Sequence, residues 1–310
     1  MKRVGIIGAG PVGSVLAAAL ATAGHEVTLV EVSGQVRDRI SERGIRITGA
    51  RDMYAPPELF PDLFVRVDAL ADDPPDILFV VIKATVLPLV SSSIAEFAGD
   101  QTTVVSWQNG IDTERIIADA IGAETVVRAV VNYGVSYSDS LDTYMTFEHP
   151  PHYVQELVPE GEHRAAEVAS TLSAAGIATQ RAFDLVSMVW KKSILNASLN
   201  GLCAITGLRV ADAVDDVYAR TMMDNILKES IAVARANEIR LGWRFYQWAR
   251  DYNEKVGPHK PSMLLDMEAG RRSEVDFING KIVDYGHIAG VPTPYNESIL
   301  CIMKALEKRL

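Results

Sequence analysis

The chain has 310 residues, enough for roughly two domains that each bury a core. Hydrophobic residues make up 48% and charged residues 23%, an ordinary globular mix that excludes a disordered or collagen-like chain. A formal charge of -10 repels phosphate backbones and anionic lipid surfaces, so neither nucleic acid nor a membrane is expected as a partner. Cys203 and Cys301 lie far apart and form no CxxC, which suits a reducing cytoplasm and leaves no thiolate metal site.

In chain order, residues 4–24 come first: they carry no charge and follow Lys2 and Arg3, and Ala21-Thr22-Ala23 imitates a cleavage site for export. Gly5, Gly8, Gly10, Pro11 and Gly13 crowd the half of this run where a signal or spanning helix needs leucine, so a different role is expected. Short β-branched runs at 3–8, 26–31, 77–83, 102–107 and 125–131 alternate with helical patterns such as 12–23 and 85–97. That alternation predicts an α/β fold with a parallel sheet covered by helices. Alternating Tyr, Thr, Val and Ser over 132–157 predict antiparallel strands added at one edge. Past Phe183 strands vanish, and helical patterns at 184–206, 214–239 and 271–289 predict an all-helical second domain. The expected domains are therefore 1–182 and 183–310.

Gly8-Ala9-Gly10-Pro11-Val12-Gly13 lies between the first strand and the first helix. Its first glycine permits a tight turn, its second lets the backbone approach a pyrophosphate, and its third lets helix and strand pack closely. The amides at the helix start then hold the phosphates. Glu31 ends the second strand, 18 residues beyond Gly13, where an acid accepts from ribose hydroxyls and repels a 2′-phosphate. NADH is favoured over NADPH on that rule, although Arg37 or Arg39 is close enough in sequence to neutralise a phosphate. Lys83 and Asn109 fall at the C-terminal edges of predicted strands, where open α/β sheets bind ligands; a solvated strand end and a plain Asn-Gly turn explain them equally well.

Residues 193–208 contain no charge and are apolar nearly all round, the pattern of a buried helix. Lys192, Asn196 and Asn200 recur every four residues and share one face of it. Such groups line a crevice or bond neighbouring helices, because burying them unpaired is costly. Asp266 and Glu274 share a face if their helix is continuous, which Gly270 puts in question; they also suit pairing with Arg271 and Arg272. Ser262 after Pro261 suits an N-cap.

GAGPVG, Lys83, Gln108-Asn109-Gly110, Trp190-Lys191-Lys192 with Asn196 and Asn200, SMLLDMEAGRRSEVDFING over 262–280 and GVPTPYN over 290–296 occur in this order. Together they resemble the ketopantoate reductase family, from Gly5 to Asn296. The resemblance implies a Rossmann dinucleotide-binding domain followed by an all-helical domain of the 6-phosphogluconate dehydrogenase C-terminal type. It implies an NAD(P)H-dependent oxidoreductase that reduces a 2-oxo acid, foremost 2-dehydropantoate (ketopantoate), to the D-2-hydroxy acid pantoate in pantothenate biosynthesis. By the same resemblance Lys192 is the general acid, and Asn196, Asn200 and Ser262 hold the 2-oxo acid. Lys83 and Asn109 belong to the cofactor side, and Glu274 is the carboxylate that orients Lys192 or keeps it protonated.

Two departures bear on substrate and cofactor. Members of the family that use NADPH usually carry Arg where this chain has Glu31, and Gly201-Leu202-Cys203 replaces the commoner Pro-Leu-Thr, with no asparagine near Val210. They leave open an NADH-dependent D-2-hydroxyacid dehydrogenase acting on another branched 2-oxo acid. A non-catalytic NAD(P)-sensing Rossmann protein is a second alternative, which has no need of Lys192, Asn196, Asn200 and Glu274, and a β-hydroxyacid dehydrogenase is a third. A homodimer through the helical domain is the expected assembly. His149-Pro150-Pro151-His152 reads as an exposed loop, so no metal is expected. Tyr133, Tyr137, Tyr144, Phe147 and Tyr153 read as strand faces, and Trp243, Tyr246 and Trp248 as core or subunit interface.

Overall fold

The computed structural model describes residues 1–138, 140–255 and 257–310. They divide into two compact units, Met1–Gln108 with Thr113–Leu185, and Asn109–Asp112 with Val186–Leu310. The main division falls between Leu185 and Val186, and the short segment Asn109–Asp112 is grouped with the helices.

The first unit opens with β1 (Arg3–Ile7), α1 (Pro11–Thr22), β2 (Glu26–Val30), α2 (Gly34–Arg43), β3 (Ile45–Gly49), β4 (Met53–Ala55) and β5 (Leu63–Phe64). It continues through β6 (Ile77–Val80), α3 (Leu87–Ala95), β7 (Thr103–Ser106), α4 (Thr113–Ile121), β8 (Val126–Val130), β9 (Tyr133–Tyr137) and β10 (Thr143–Glu148). β11 (His152–Glu156), α5 (Glu162–Ala174) and β12 (Thr179–Arg181) close it. An eight-stranded sheet has the order β12-β11-β8-β7-β6-β1-β2-β5, with β1 parallel to both β2 and β6. β6, β7 and β8 are buried along their whole length, as strands covered on both faces must be, which is why they read as unbroken apolar runs.

Only part of the expected antiparallel edge belongs to that sheet. β11 does run antiparallel to β8. β9 and β10 instead form a second sheet of order β4-β3-β10-β9, in which β10 runs parallel to β3. Alternation identifies a strand but not its partner, and here the partner lies far back in the chain, with Ile47 opposite Thr143.

The small sheet explains the uncharged N-terminal run. α1 packs on β1 and β2 and also on β3, β4, β9 and β10, so that residues 13–21 are all buried. A helix enclosed in this way has no solvated face on which to carry charge. Among the described residues no helix is long and apolar enough to cross a membrane.

The second unit is built on α6 (Leu185–Thr206), α7 (Val210–Asp215), α8 (Val217–Ala236), α9 (Phe245–Lys255), α10 (Ser262–Glu268), α11 (Asn279–Ala289) and α12 (Pro294–Glu307). α6 lies against α9 through Asn253 Nδ2 to Ser198 Oγ at 3.3 Å, and against α11 through Asn279 Nδ2 to the Ala197 carbonyl at 3.1 Å. Against α12 the approach is so close that a Cβ on Gly201 would stand 2.4 Å from Ile299 Cγ2. Gly201 is therefore the residue that lets α6 and α12 meet. The helix expected over 271–289 is broken: α10 stops before Gly270, at φ +65°, and a 3-10 turn at Val275–Phe277 precedes α11.

The GVPTPYN segment builds the start of α12. Pro294 takes the first helical position, where its missing N–H costs nothing. Glu229 on α8 accepts from the amides of Tyr295 (2.8 Å) and Asn296 (2.9 Å) and from Asn296 Nδ2 (2.8 Å). Asn296 is fully buried, and its Oδ1 accepts from Asn279 Nδ2 at 3.1 Å.

Candidate functional site

The glycine loop turns between β1 and α1. Gly8 has φ +99°, a conformation open to glycine, and its N–H donates to the Val30 carbonyl at 2.8 Å. A Cβ on Gly13 would lie 1.9 Å from the Gly8 carbonyl oxygen, so only glycine lets α1 start this close to the strand. A Cβ on Gly10, by contrast, would meet nothing within 4 Å. The loop is thus closed on the side of the sheet and open on the other, the shape a pyrophosphate requires. With Gly10 as N-cap and Pro11 at the first position, the amides of Val12 and Gly13 are left unused by the helix's own bonds.

Glu31 follows β2 and is tied to this loop. Its Oε2 accepts from Ala9 N at 2.8 Å and its Oε1 from Ser33 N at 2.8 Å. One carboxylate therefore stabilises both the glycine loop and the turn that starts α2, and puts a negative charge beside both. Of the two nearby arginines, Arg37 donates Nη1 to the Glu31 carbonyl at 2.6 Å. Arg39 is 5% exposed on α2, with Asp142 at 3.9 Å.

Lys83 is half-buried just past β6, which ends at Val80, three residues before the expected strand end. Asn109 is half-buried in the segment grouped with the helices. That segment is held by Ile111 N to the Phe277 carbonyl at 2.9 Å. Asp112 accepts from Tyr285 Oη at 2.9 Å and pairs with Lys281 at 3.2 Å. Sequence reasoning missed Asp112, Lys281 and Tyr285, and no spacing pattern connects them.

Lys192, Asn196 and Asn200 share one face of α6, the first two half-buried and Asn200 6% exposed. Trp190, Ile194, Ala197 and Cys203 on the same helix are buried. Burial pushes the Cys203 thiol up to about 12, which leaves it an inert hydrophobe. Glu274 is 5% exposed and lies in the turn between α10 and α11, its carbonyl accepting from Phe277 N at 3.0 Å. The preceding Ser273 fixes this turn to α12 by donating Oγ to Glu307 at 2.6 Å. Ser262 is exposed at the first position of α10, and Pro261, not Ser262, is the cap residue. Asp266 and Glu274 do not share a helix; Asp266 pairs with Arg271 at 3.1 Å. His152, in the loop motif set aside for metal, is fully buried, its Nδ1 accepting from Asn132 N at 3.0 Å.

A parallel sheet whose first turn is a glycine loop, tied to an acid at the end of the second strand, defines a Rossmann dinucleotide-binding unit, here followed by an all-helical unit. Comparison with known proteins makes this more specific. Residues 4–155 match the family model described as ketopantoate reductase PanE/ApbA, and residues 184–307 the model of its C-terminal part. The chain belongs to the ketopantoate reductase family, and is an oxidoreductase acting on a keto or hydroxyl group. It is 29% identical to a 2-dehydropantoate 2-reductase of Archaeoglobus fulgidus, over 100% of this chain and 99% of that protein. A PanE/ApbA family ketopantoate reductase from Ralstonia eutropha JMP134 superposes with a TM-score of 0.87 at 25% identity, covering 99% of both chains. A D-mandelate dehydrogenase solved with NADH and anilino(oxo)acetate superposes at 0.88 and 25% identity, covering 99% of this chain and 98% of the other.

Proposed function

We propose that this protein is an NADH-dependent reductase of a 2-oxo acid, foremost 2-dehydropantoate, which it converts to the D-2-hydroxy acid. The observation that carries the cofactor choice is the Glu31 carboxylate, bonded to Ala9 N and Ser33 N beside the glycine loop. It supports ribose hydroxyls as neighbours and disfavours a 2′-phosphate. When bound, the reduced nicotinamide supplies a hydride to the ketone carbon.

The chain's own residues do the rest. As the carbonyl accepts the hydride, negative charge grows on its oxygen; the Lys192 ammonium stabilises that charge and gives up a proton to it. Asn196, Asn200 and Ser262 offer neutral donors for the carboxylate and carbonyl. Glu274, 5% exposed in the turn before α11, is the carboxylate that orients Lys192 in this reading. Lys83 and Asn109 serve the cofactor. A cytoplasmic location suits the cysteine usage, and a homodimer through the helical unit suits Trp243 and Trp248, which are 80% and 49% exposed instead of forming core.

A second reading, reduction of another branched 2-oxo acid, is favoured by Glu31 together with the NADH complex of the D-mandelate dehydrogenase. Initial rates with ketopantoate, 2-oxoisovalerate and 2-oxoisocaproate, each with NADH and NADPH, separate the two. Fast reduction of ketopantoate with NADH supports the first reading; preference for another oxo acid moves the assignment to the second; preference for NADPH overturns the role given to Glu31.

A further inference from the structure

The backbone of Ala9, inside the glycine loop, is gripped from three directions. Its N–H donates to Glu31 Oε2, and its carbonyl accepts from Ser14 Oγ at 3.0 Å and from Tyr137 Oη at 2.9 Å. Glu31 and Ser14 belong to the β1-α1-β2 unit itself. Tyr137 does not: it is the last residue of β9 in the small sheet, 128 residues further along the chain.

That third contact decides where the next amide points. The Ala9 carbonyl and the Gly10 N–H share one planar trans peptide and face opposite ways, so holding the oxygen aims the N–H. Glycines on both sides of Ala9 leave the peptide little intrinsic resistance to rotation. The Tyr137 ring is itself held, with the Arg39 guanidinium carbon 5.8 Å from its centre. Burial pushes the Tyr137 hydroxyl up to about 12, so it remains a donor throughout the working pH range.

We propose that Tyr137 is a positioning residue for the dinucleotide: from the small sheet it holds the Ala9-Gly10 peptide in the orientation that receives the pyrophosphate. This rests on the dinucleotide reading of the glycine loop. The test compares Tyr137→Phe with Tyr133→Phe, which removes a buried hydroxyl from the same strand, one that contacts Trp107 Nε1 at 3.4 Å. NADH is titrated by its fluorescence, and kcat, both KM values and Tm are measured beside it. Loss of one net hydrogen bond predicts a Kd and KM for NADH about fivefold higher in Tyr137→Phe, with kcat and the oxo-acid KM within about twofold of wild type. Tyr133→Phe should keep the wild-type Kd whatever happens to its Tm. An unchanged Kd in Tyr137→Phe, or equal weakening in both variants, overturns the role of Tyr137 alone. Failure of the wild type to bind NADH or NADPH overturns the dinucleotide reading and this proposal with it.

Discussion

Replacing Glu31 by Gln tests the coupling between cofactor choice and loop geometry. Each carboxylate oxygen accepts one amide, from Ala9 and from Ser33, both at 2.8 Å. Gln keeps one acceptor oxygen and turns an NH2 group toward the other amide, leaving that donor without an acceptor. A hydrogen bond to a charged group is worth about 1.5–3 kcal/mol when buried. Because Glu31 is only half-buried, the loss is discounted to about 1 kcal/mol, roughly a fivefold weakening of NADH binding. The lost charge acts separately: two unit charges about 4 Å apart repel by about 1 kcal/mol in water, and a 2′-phosphate carries nearly two. The ratio of NADPH to NADH affinity should therefore rise by about tenfold or more, and by less at high salt. Fluorescence titration of both cofactors at two ionic strengths reads both effects. A ratio unchanged within twofold would refute the electrostatic argument, and an unchanged NADH Kd would refute the tether.

Three further perturbations probe other parts of the molecule. Lys192→Ala should lower kcat by about 10²–10⁴-fold while the NADH Kd stays within twofold, as stopped-flow and equilibrium titration would establish; unimpaired turnover excludes Lys192 as the proton donor. Glu229→Ala strips the acceptor from two amides at the start of α12 and from buried Asn296 Nδ2. It should cost about 2–4 kcal/mol and lower Tm by several degrees, and a shift under about 1 °C would contradict the capping role. The hydrogen bond from Arg181 holds the Glu156 carboxyl below its ordinary value of 4.5. The stability it contributes is complete above that value and is lost as pH falls through the depressed folded value. Chemical denaturation between pH 6 and pH 3 should show a steeper loss for wild type than for Glu156→Gln, and parallel curves would remove this pair from the acid response.

The parallel core was legible because β1, β2, β6, β7 and β8 are short β-branched runs separated by helical periods, a pattern that strand burial on both faces enforces. The small sheet was not: β4 has only three residues, and the pairing of Ile47 with Thr143 joins segments that no local period connects. Glu31 could be found from its place after β2, but its bond to Ala9 N depends on how the loop turns, which a motif does not state. Tyr137 looked like one strand tyrosine among several, since nothing in its neighbours distinguishes a hydroxyl aimed at the glycine loop from one aimed at solvent. At Asn109-Gly110 the sequence fits a ligand-facing strand end and a plain turn equally well; the bonds that tie 109–112 to the helices run to Phe277, Tyr285 and Lys281, more than 150 residues away. The helix break at Gly270 is legible because glycine readily takes the left-handed conformation that ends a helix, here φ +65°.

The reach of Tyr137 back to Ala9 also orders events during synthesis. The β1-α1-β2 segment emerges first with its glycines and Glu31 in place, but the hydroxyl that completes the grip on Ala9 arrives 128 residues later, after most of the unit has been made. Closing so long a loop is entropically costly and slow relative to local pairing. A nascent chain therefore carries the whole glycine fingerprint well before it can hold the loop in its final form, and nucleotide-binding competence comes late, with docking of the small sheet onto α1.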